Sequence, residues 1–371
     1  MRSEKIHVLV LFGGRSAEHE VSCLSARSVL AALDPERYDV TTVGITRAGR
    51  WTLVDGVVDT APGILPSVAE DEGDTVALVQ TRKGPRLVRF IDTFDGVEVG
   101  PVDVCFPVLH GPYGEDGTVQ GLLASHGIPY VGADVASSAV GVDKRQMKNV
   151  FKARGLPQVP YDTVTRARWD GDPQATLDAL EQALPYPMFT KPARQGSSIG
   201  IKLCRSRDDL HDGMVEAFAH GRVAIVEQGL ERPREIECGV LGNTETDLEV
   251  TPPGEIRTQH EFYDFDGKYL DDSLVLQCPA QVPDHIAQTC MDFAREAYLS
   301  IGARGMARVD FFYIEDRDEV LVNEINTIPG FTPVSMFPYV WQTQGLTYPA
   351  LIDRLLSLAL AAGATEERYG P

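Results

Sequence analysis

The stretch Ala307-Arg308-Val309-Asp310-Phe311-Phe312-Tyr313-Ile314-Glu315-Asp316-Arg317-Asp318-Glu319-Val320-Leu321-Val322-Asn323-Glu324-Ile325-Asn326 holds two β-rich runs about a charged turn. Folded about Arg317, it sets Asp310 opposite Glu324 and Arg308 opposite Asn326. Strand side chains alternate between faces, so these four share one face. Directly opposed carboxylates, with Cβ atoms about 5 Å apart, repel each other. A divalent cation turns that repulsion into attraction. Carboxylate and amide oxygens are hard ligands that suit Mg²⁺ or Mn²⁺ rather than zinc. An acidic hairpin facing water would also explain the turn, but not acids set among Val, Ile and Phe.

Working outward, 371 residues exceed one compact core and predict two or three domains. A hydrophobic content of 43% is that of a soluble globular protein. The net charge of −20 argues against nucleic acid, whose phosphates need a basic surface. No run approaches the ~20 apolar residues of a membrane span. The early run Ile6 to Phe12 is too short for a signal peptide, so a cytoplasmic protein is expected. The six cysteines, at 23, 105, 204, 238, 278 and 290, show no C-x-x-C spacing and read as reduced thiols.

Ile6 to Phe12 reads as a buried parallel strand, followed by the Gly13-Gly14 turn and a helix over Ser16 to Leu33. Tyr38 to Ile45 and Val102 to Leu109 read as further strands, and Thr118 to His126 as a helix. Pro129 to Gly132 reads as a short strand. This alternation predicts a doubly wound N-terminal α/β domain. Residues 55–100 read as hairpins on its edge. Asp143 to Arg154 is a helix closed by Gly155. Pro185 to Lys191, Ile201 to Cys204 and Val223 to Glu227 form a small α+β unit with a helix over Asp208 to His220. Closing helices are expected near 283–301 and 348–362.

Between two of those strands, Gln195-Gly196-Ser197-Ser198-Ile199-Gly200 exposes backbone N–H groups able to cradle phosphate. It is neither a P-loop nor a G-x-G-x-x-G turn. On its own, Lys191 reads as a solvated lysine. Lys144 opposes the dipole of the helix it starts, which hints at an anion partner. His110-Gly111 ends a parallel strand, where ligand crevices form. Glu115 and Asp116 read as caps of the next helix, and Glu18 as a helix-dipole partner.

Five segments in order resemble the D-alanine–D-alanine ligase family of the ATP-grasp superfamily, over nearly the whole chain. They are Gly13 to Ser22, His110 to Gly121, Lys191 to Gly200, Phe262 to Tyr269 and Asn323 to Thr332. The resemblance implies an α/β ATP-grasp fold. A doubly wound substrate domain over 1–138 would be followed by two α+β subdomains, 139–230 and 231–371, that hold ATP between them. It implies that ATP phosphorylates one D-alanine and that a second attacks the acyl phosphate, giving D-alanyl-D-alanine for peptidoglycan synthesis.

By the same resemblance, Asp310, Glu324 and Asn326 hold two Mg²⁺ (or Mn²⁺). Lys144, Lys191, Ser198, Glu227, Glu235 and Lys268 hold ATP. Glu18 takes the first substrate's ammonium and forms a hydrogen-bonded set with Ser197 and Tyr269, near His110. Arg308 and the Gly330 N–H stabilise the oxyanion. Ser335 and the Met336 N–H take the second carboxylate, while Lys268 and Tyr269 lie on a closing segment. A homodimer without nucleic-acid or membrane partners is implied. The alternatives are ligation of D-alanine to D-lactate or D-serine, and a nucleotide-binding regulator without catalysis. Tyr269 favours the dipeptide, and the intact metal and arginine positions oppose the regulator. Gly229 stands where a bulky residue is common, and no role attaches to residues 55–100 or to Arg194-Gln195.

Overall fold

The computed structural model of the chain describes residues 5–57, 60, 64–91, 95–257 and 275–369. Its first sheet comprises β1 (Ile6–Gly13), β2 (Tyr38–Ile45), β3 (Trp51–Leu53), β4 (Asp74–Thr81), β5 (Gly84–Phe90), β6 (Gly96–Pro101) and β7 (Val104–Pro107). The order is β6-β5-β4-β3-β2-β1-β7. Strand β1 runs parallel to β2 and β7, and β3 to β6 continue the sheet as antiparallel hairpins. The hairpins read into residues 55–100 therefore extend the edge remote from β7. Helix α1 (His19–Ala32) starts later than expected. Ser16 Oγ accepts from the Glu18 amide and donates to the His110 carbonyl, which holds residues 16–18 in a turn.

Helices α2 (Thr118–Ser125), α3 (Val135–Val142) and α4 (Lys144–Ala153) follow. Helix α3 was not expected, because its small residues carry little periodicity; Asp134 caps it by accepting from Ser137 N at 2.8 Å. Pro129 to Gly132 contributes a single parallel bridge, Tyr130 to Cys105, rather than a strand. The second sheet has β8 (Tyr161–Thr165), β9 (Met188–Pro192), β10 (Lys202–Cys204) and β11 (Val223–Gln228), in the order β10-β9-β11-β8. Helices α5 (Arg166–Gly171), α6 (Pro173–Ala183) and α7 (Arg207–Ala219) belong to the same unit.

The third sheet has β12 (Arg234–Gly242), β13 (Glu249–Val250), β14 (Gly254–Arg257), β15 (Val275–Gln277), β16 (Gly305–Ile314) and β17 (Glu319–Asn326). The order is β15-β14-β12-β16-β17, with β13 on β12. Helices α8 (Asp284–Ser300), α9 (Met336–Thr343) and α10 (Tyr348–Tyr369) complete the described chain. The hairpin register holds at the proposed site, with Arg308 opposite Asn326 and Asp310 opposite Glu324. Toward the turn it shifts by one, pairing Phe311 with Val322 and Ile314 with Glu319. The turn closes over Glu315–Asp318, with Asp318 left-handed at φ 51°, and Asn323 absorbs the odd residue as a bulge.

One apolar core joins the ends of the chain. Val8, Val10 and Phe12 of β1 cluster with Phe331, Phe337 and Leu351, Ile352 and Leu355 of α10. No single helix among the described residues is long and apolar enough to cross a membrane. The bent pair α9 and α10 passes that test only jointly, and its apolar side chains are core residues. All six cysteines are free thiols, and all but Cys278 are buried.

Gly13 closes β1 at φ +85°, where a Cβ would lie 2.4 Å from the Ile45 carbonyl oxygen. Gly13→Ala is expected to lower the unfolding free energy by about 2–3 kcal/mol. Urea denaturation checks this, and wild-type stability would show that the turn relaxes freely.

Candidate active site

The hairpin places its polar face under strict charge control. Arg308 grips Asp310 with two bonds, Nε to Oδ1 and Nη2 to Oδ2, both 2.7 Å. The same Nε lies 2.9 Å from Glu237 Oε2, on the neighbouring β12. Asn326 donates Nδ2 to Asp310 Oδ2 at 2.9 Å, which leaves its amide oxygen as the acceptor atom. Lys144 Nζ, from α4, sits 3.2 Å from Glu324 Oε2. Burial opposes charge on both cations. The facing acids outweigh it, so the pKa of Lys144 is raised and that of Arg308 lies well above its ordinary value. Among the described residues no group of three or more His, Cys, Asp and Glu is gathered for a metal. A cation here would rest on two acids and an amide, an all-oxygen set that fits Mg²⁺ or Mn²⁺.

Three loops converge on Glu18. It occupies the N-cap position of α1 but makes no side-chain capping hydrogen bond there. Its carboxylate instead accepts from Ser197 Oγ. A Cβ on Gly111 would lie 2.6 Å from Glu18 Oε2, and one on Gly196 3.0 Å away. Both glycines therefore permit the close approach. Ser197 and Ser198 are left-handed at φ 48° and 59°, an arrangement for non-glycine residues that costs about 1–3 kcal/mol each. Strain of this kind collects where a ligand is held. Lys144 reaches the same loop, donating Nζ to the Gln195 carbonyl at 3.0 Å.

Glu115 departs from the capping role assigned to it. Asp116 alone makes the turn, accepting from Tyr113 N and Thr118 N. Glu115 faces inward, with Oε1 3.5 Å from His110 Nδ1. Burial raises the Glu115 carboxyl, His110 opposes that shift, and the nearby Glu18 adds to it. For His110, burial disfavours charge, but Glu115, Glu18 and the Ile328 carbonyl prevail and raise its pKa.

Lys191 is not a solvated lysine. It lies 2.5 Å from Glu227 Oε2, while Lys148 Nζ lies 2.7 Å from Oε1 of the same carboxylate. Lys148 is 1% exposed and stacks 5.0 Å over the Tyr161 ring. Burial alone would raise the Glu227 carboxyl; the two ammonium groups hold it well below the usual range. Its carboxylate thus serves a buried ion cluster in addition to the nucleotide position implied for it. Glu235 is half-buried on β12 and by alternation shares the face of Glu237. Gly229 is required by space, since a Cβ would meet the Pro187 carbonyl oxygen at 2.8 Å.

The loop after β17 brings Gly330 against Ser335, whose Oγ would lie 2.7 Å from a Cβ at Gly330. Ser335 Oγ accepts from Thr332 N at 3.0 Å. The Met336 side chain is buried in the core, so its backbone N–H in the first turn of α9 is the group left for a ligand. Phe262 to Tyr269, including Lys268 and Tyr269, lies outside the described residues. Sequence reasoning missed Glu237, Lys148 and Ser25. Lys148 follows Lys144 by one helical turn, and Glu237 alternates with Glu235; both patterns were readable.

A mixed α/β sheet followed by two antiparallel sheets, with Lys144 reaching both Glu324 and the Gln195–Gly200 loop, defines a protein of the ATP-grasp class. Family models described as D-ala D-ala ligase N-terminus and D-ala D-ala ligase C-terminus match residues 7–133 and 150–357. The chain is 46% identical to the D-alanine–D-alanine ligase of Pseudarthrobacter chlorophenolicus, over 96% of this chain and 94% of that protein. It is 44% identical to that of Mycobacterium tuberculosis (strain ATCC 25618 / H37Rv), covering 98% and 97%. The solved D-alanine-D-alanine ligase from Coxiella burnetii superposes with a TM-score of 0.81 at 31% identity, covering 99% and 97%. The VanG D-Ala:D-Ser ligase from Enterococcus faecalis gives 0.79 at 32%, covering 96% and 100%. The chain belongs to the D-alanine–D-alanine ligase family.

Lys148→Met removes one of two cations from a buried acid and is expected to lower stability by on the order of 3 kcal/mol. Because Glu227 is depressed, this contribution is full above the ordinary carboxylate range and fades as pH falls toward the lowered value. Urea unfolding of both proteins at neutral and acidic pH tests it. A pH-independent difference would refute the assignment.

Proposed function

We infer that this chain joins two D-alanines into D-alanyl-D-alanine at the expense of ATP, supplying peptidoglycan synthesis in the cytoplasm. The observation that carries the reading is the meeting of Lys144 with both the Gln195–Gly200 loop and Glu324. It joins a phosphate-type loop to an acid pair beside Glu18. Segments 1–138, 139–230 and 231–371 are read as a substrate domain and two nucleotide-holding subdomains.

Lys144, Lys191 and the strained Ser197-Ser198 backbone would take ATP phosphates, with Glu227 and Glu235 toward the nucleoside and Lys268 on the closing segment. Asp310, Glu324 and Asn326 would hold two Mg²⁺ ions, which supply charge neutralisation on the transferring phosphoryl group. Glu18 takes the ammonium of the first D-alanine near His110, and Ser197 and Tyr269 complete its hydrogen-bonded set. The carboxylate oxygen of that substrate attacks the γ-phosphorus, the bond to ADP breaks, and an acyl phosphate forms. Ser335 and the Met336 N–H seat the carboxylate of the second D-alanine. Its amine attacks the acyl carbon, the oxyanion is met by Arg308 and the Gly330 N–H, and phosphate departs as the amine loses its proton. Excluding water protects the acyl phosphate from hydrolysis.

Ligation to D-serine or D-lactate is the second reading, and the likeness to the VanG D-Ala:D-Ser ligase keeps it specific. Higher identity to the dipeptide-forming relatives favours D-alanine. A homodimer is proposed by family likeness. The test is phosphate release with D-alanine alone or paired with D-serine or D-lactate, with products identified by mass. D-alanyl-D-alanine as main product supports the reading; a D-serine peptide or a depsipeptide replaces it. Glu324→Gln, or removal of divalent ions by chelation, should abolish turnover. Arg308→Met should lower kcat by about 100- to 1000-fold. Full activity in either variant would refute that residue's role.

A further inference from the structure

Helix α1 turns a polar stripe into the core. Glu18, Ser22 and Ser25 follow at i, i+4 and i+7, and all three are buried. Ser22 Oγ accepts from Gly13 N and donates to the Val108 carbonyl, tying the helix to two neighbouring strand ends. Ser25 Oγ makes a different pair of contacts. It lies 3.1 Å from His110 Nε2 and accepts from Phe331 N at 3.3 Å. Ser25, His110 and Glu115 thus line up as a serine, histidine and carboxylate, but Ser25 is 0% exposed and no substrate can reach it. Its outer partner is the chain segment that carries the proposed oxyanion donor.

We propose that Ser25 is a positioning residue for acyl transfer, holding the Gly330–Phe331 peptide so that the Gly330 N–H keeps its aim relative to Glu18 and His110. This rests on the ligase reading above. The peptide unit is planar, so anchoring Phe331 N–H fixes the plane that leaves Gly330. Gly330 has no Cβ to limit its backbone, and Pro329 constrains it only from the preceding side. Ser25 supplies the constraint on the following side. The contact survives either state of His110. A neutral Nε2 accepts the Ser25 hydroxyl proton, a protonated one donates to Oγ, and in both cases Oγ accepts from Phe331.

The remainder of Phe331 is held independently. Its carbonyl accepts from Tyr348 OH at 2.8 Å, and its ring meets Phe106 and Phe337 edge-on. Loss of the Ser25 hydroxyl therefore leaves the loop packed while freeing the orientation of one peptide. That effect falls on the transition state and spares nucleotide binding.

The experiment compares wild type, Ser25→Ala and Ser25→Cys for kcat, KM for ATP and for D-alanine, and affinity for a phosphinate dipeptide analogue of the tetrahedral intermediate. In Ser25→Ala, kcat should fall by about tenfold or more, and phosphinate affinity in parallel. The KM for ATP should stay within about twofold, and the weak thiol acceptor of Ser25→Cys should give an intermediate rate. A kcat within about twofold of wild type overturns the proposal, as does a loss matched by the KM for ATP. If Ser25→Ala does not fold, Ser25→Cys is read by the same criteria. Wild type that makes no D-alanyl-D-alanine would sink the ligase reading itself, whereas an active wild type with a full-rate Ser25→Ala sinks only this inference.

Discussion

Asp310 cannot occupy its buried strand position as a carboxylate unless Arg308 stands beside it. The arginine binds both its oxygens and reaches Glu237 on the next strand as well. Moving such charges out of water carries a penalty of several kcal/mol per ion, which only close, well-directed pairing offsets. The same condition recurs at the neighbouring acids. Lys144 answers Glu324, and Lys148 and Lys191 answer Glu227. Lys144 and Lys148, both on α4, pair with Glu324 of the third sheet and Glu227 of the second, so this one helix links the two sheets by charge.

Against that charge framework the N-terminal sheet is fixed by apolar contact. Strand β1, helix α1 and the C-terminal helices share one core, with Phe331 wedged between Phe106 and Phe337. The start of α1 carries Glu18, and the loop before α9 carries Gly330 and Ser335. The groups proposed to bind substrate and to stabilise the oxyanion, far apart in sequence, are therefore carried on one shared core.

Much of this was legible from residues alone. Two-residue alternation placed Arg308, Asp310, Glu324 and Asn326 on one face, and the structure keeps those pairings. It could not place the bulge at Asn323, because turn length is set by the left-handed Asp318, where nothing in the residue type demanded that conformation. Lys191 was misjudged because a lysine's burial depends on an acid thirty-six positions away in sequence, Glu227. Glu115 was misjudged because two adjacent acids before a helix look alike, and only tertiary structure sends one to the turn and the other to His110. Helix α3 escaped notice for want of periodic apolar residues, and the role of Ser25 for want of any local signal.

The shared core also bears on how the chain is made. Val8, Val10 and Phe12 emerge from the ribosome early, yet their cluster is completed by Leu351, Ile352 and Leu355. Helix α10 packs on both β7 and α1. At about 5–20 residues per second, the delay between these segments is on the order of tens of seconds. During that interval one face of the N-terminal sheet stays open, and synthesis of the last helix is the event that covers it. A ribosome stalled before residue 351 would therefore display an apolar surface for chaperones, even with every residue of the first sheet already translated.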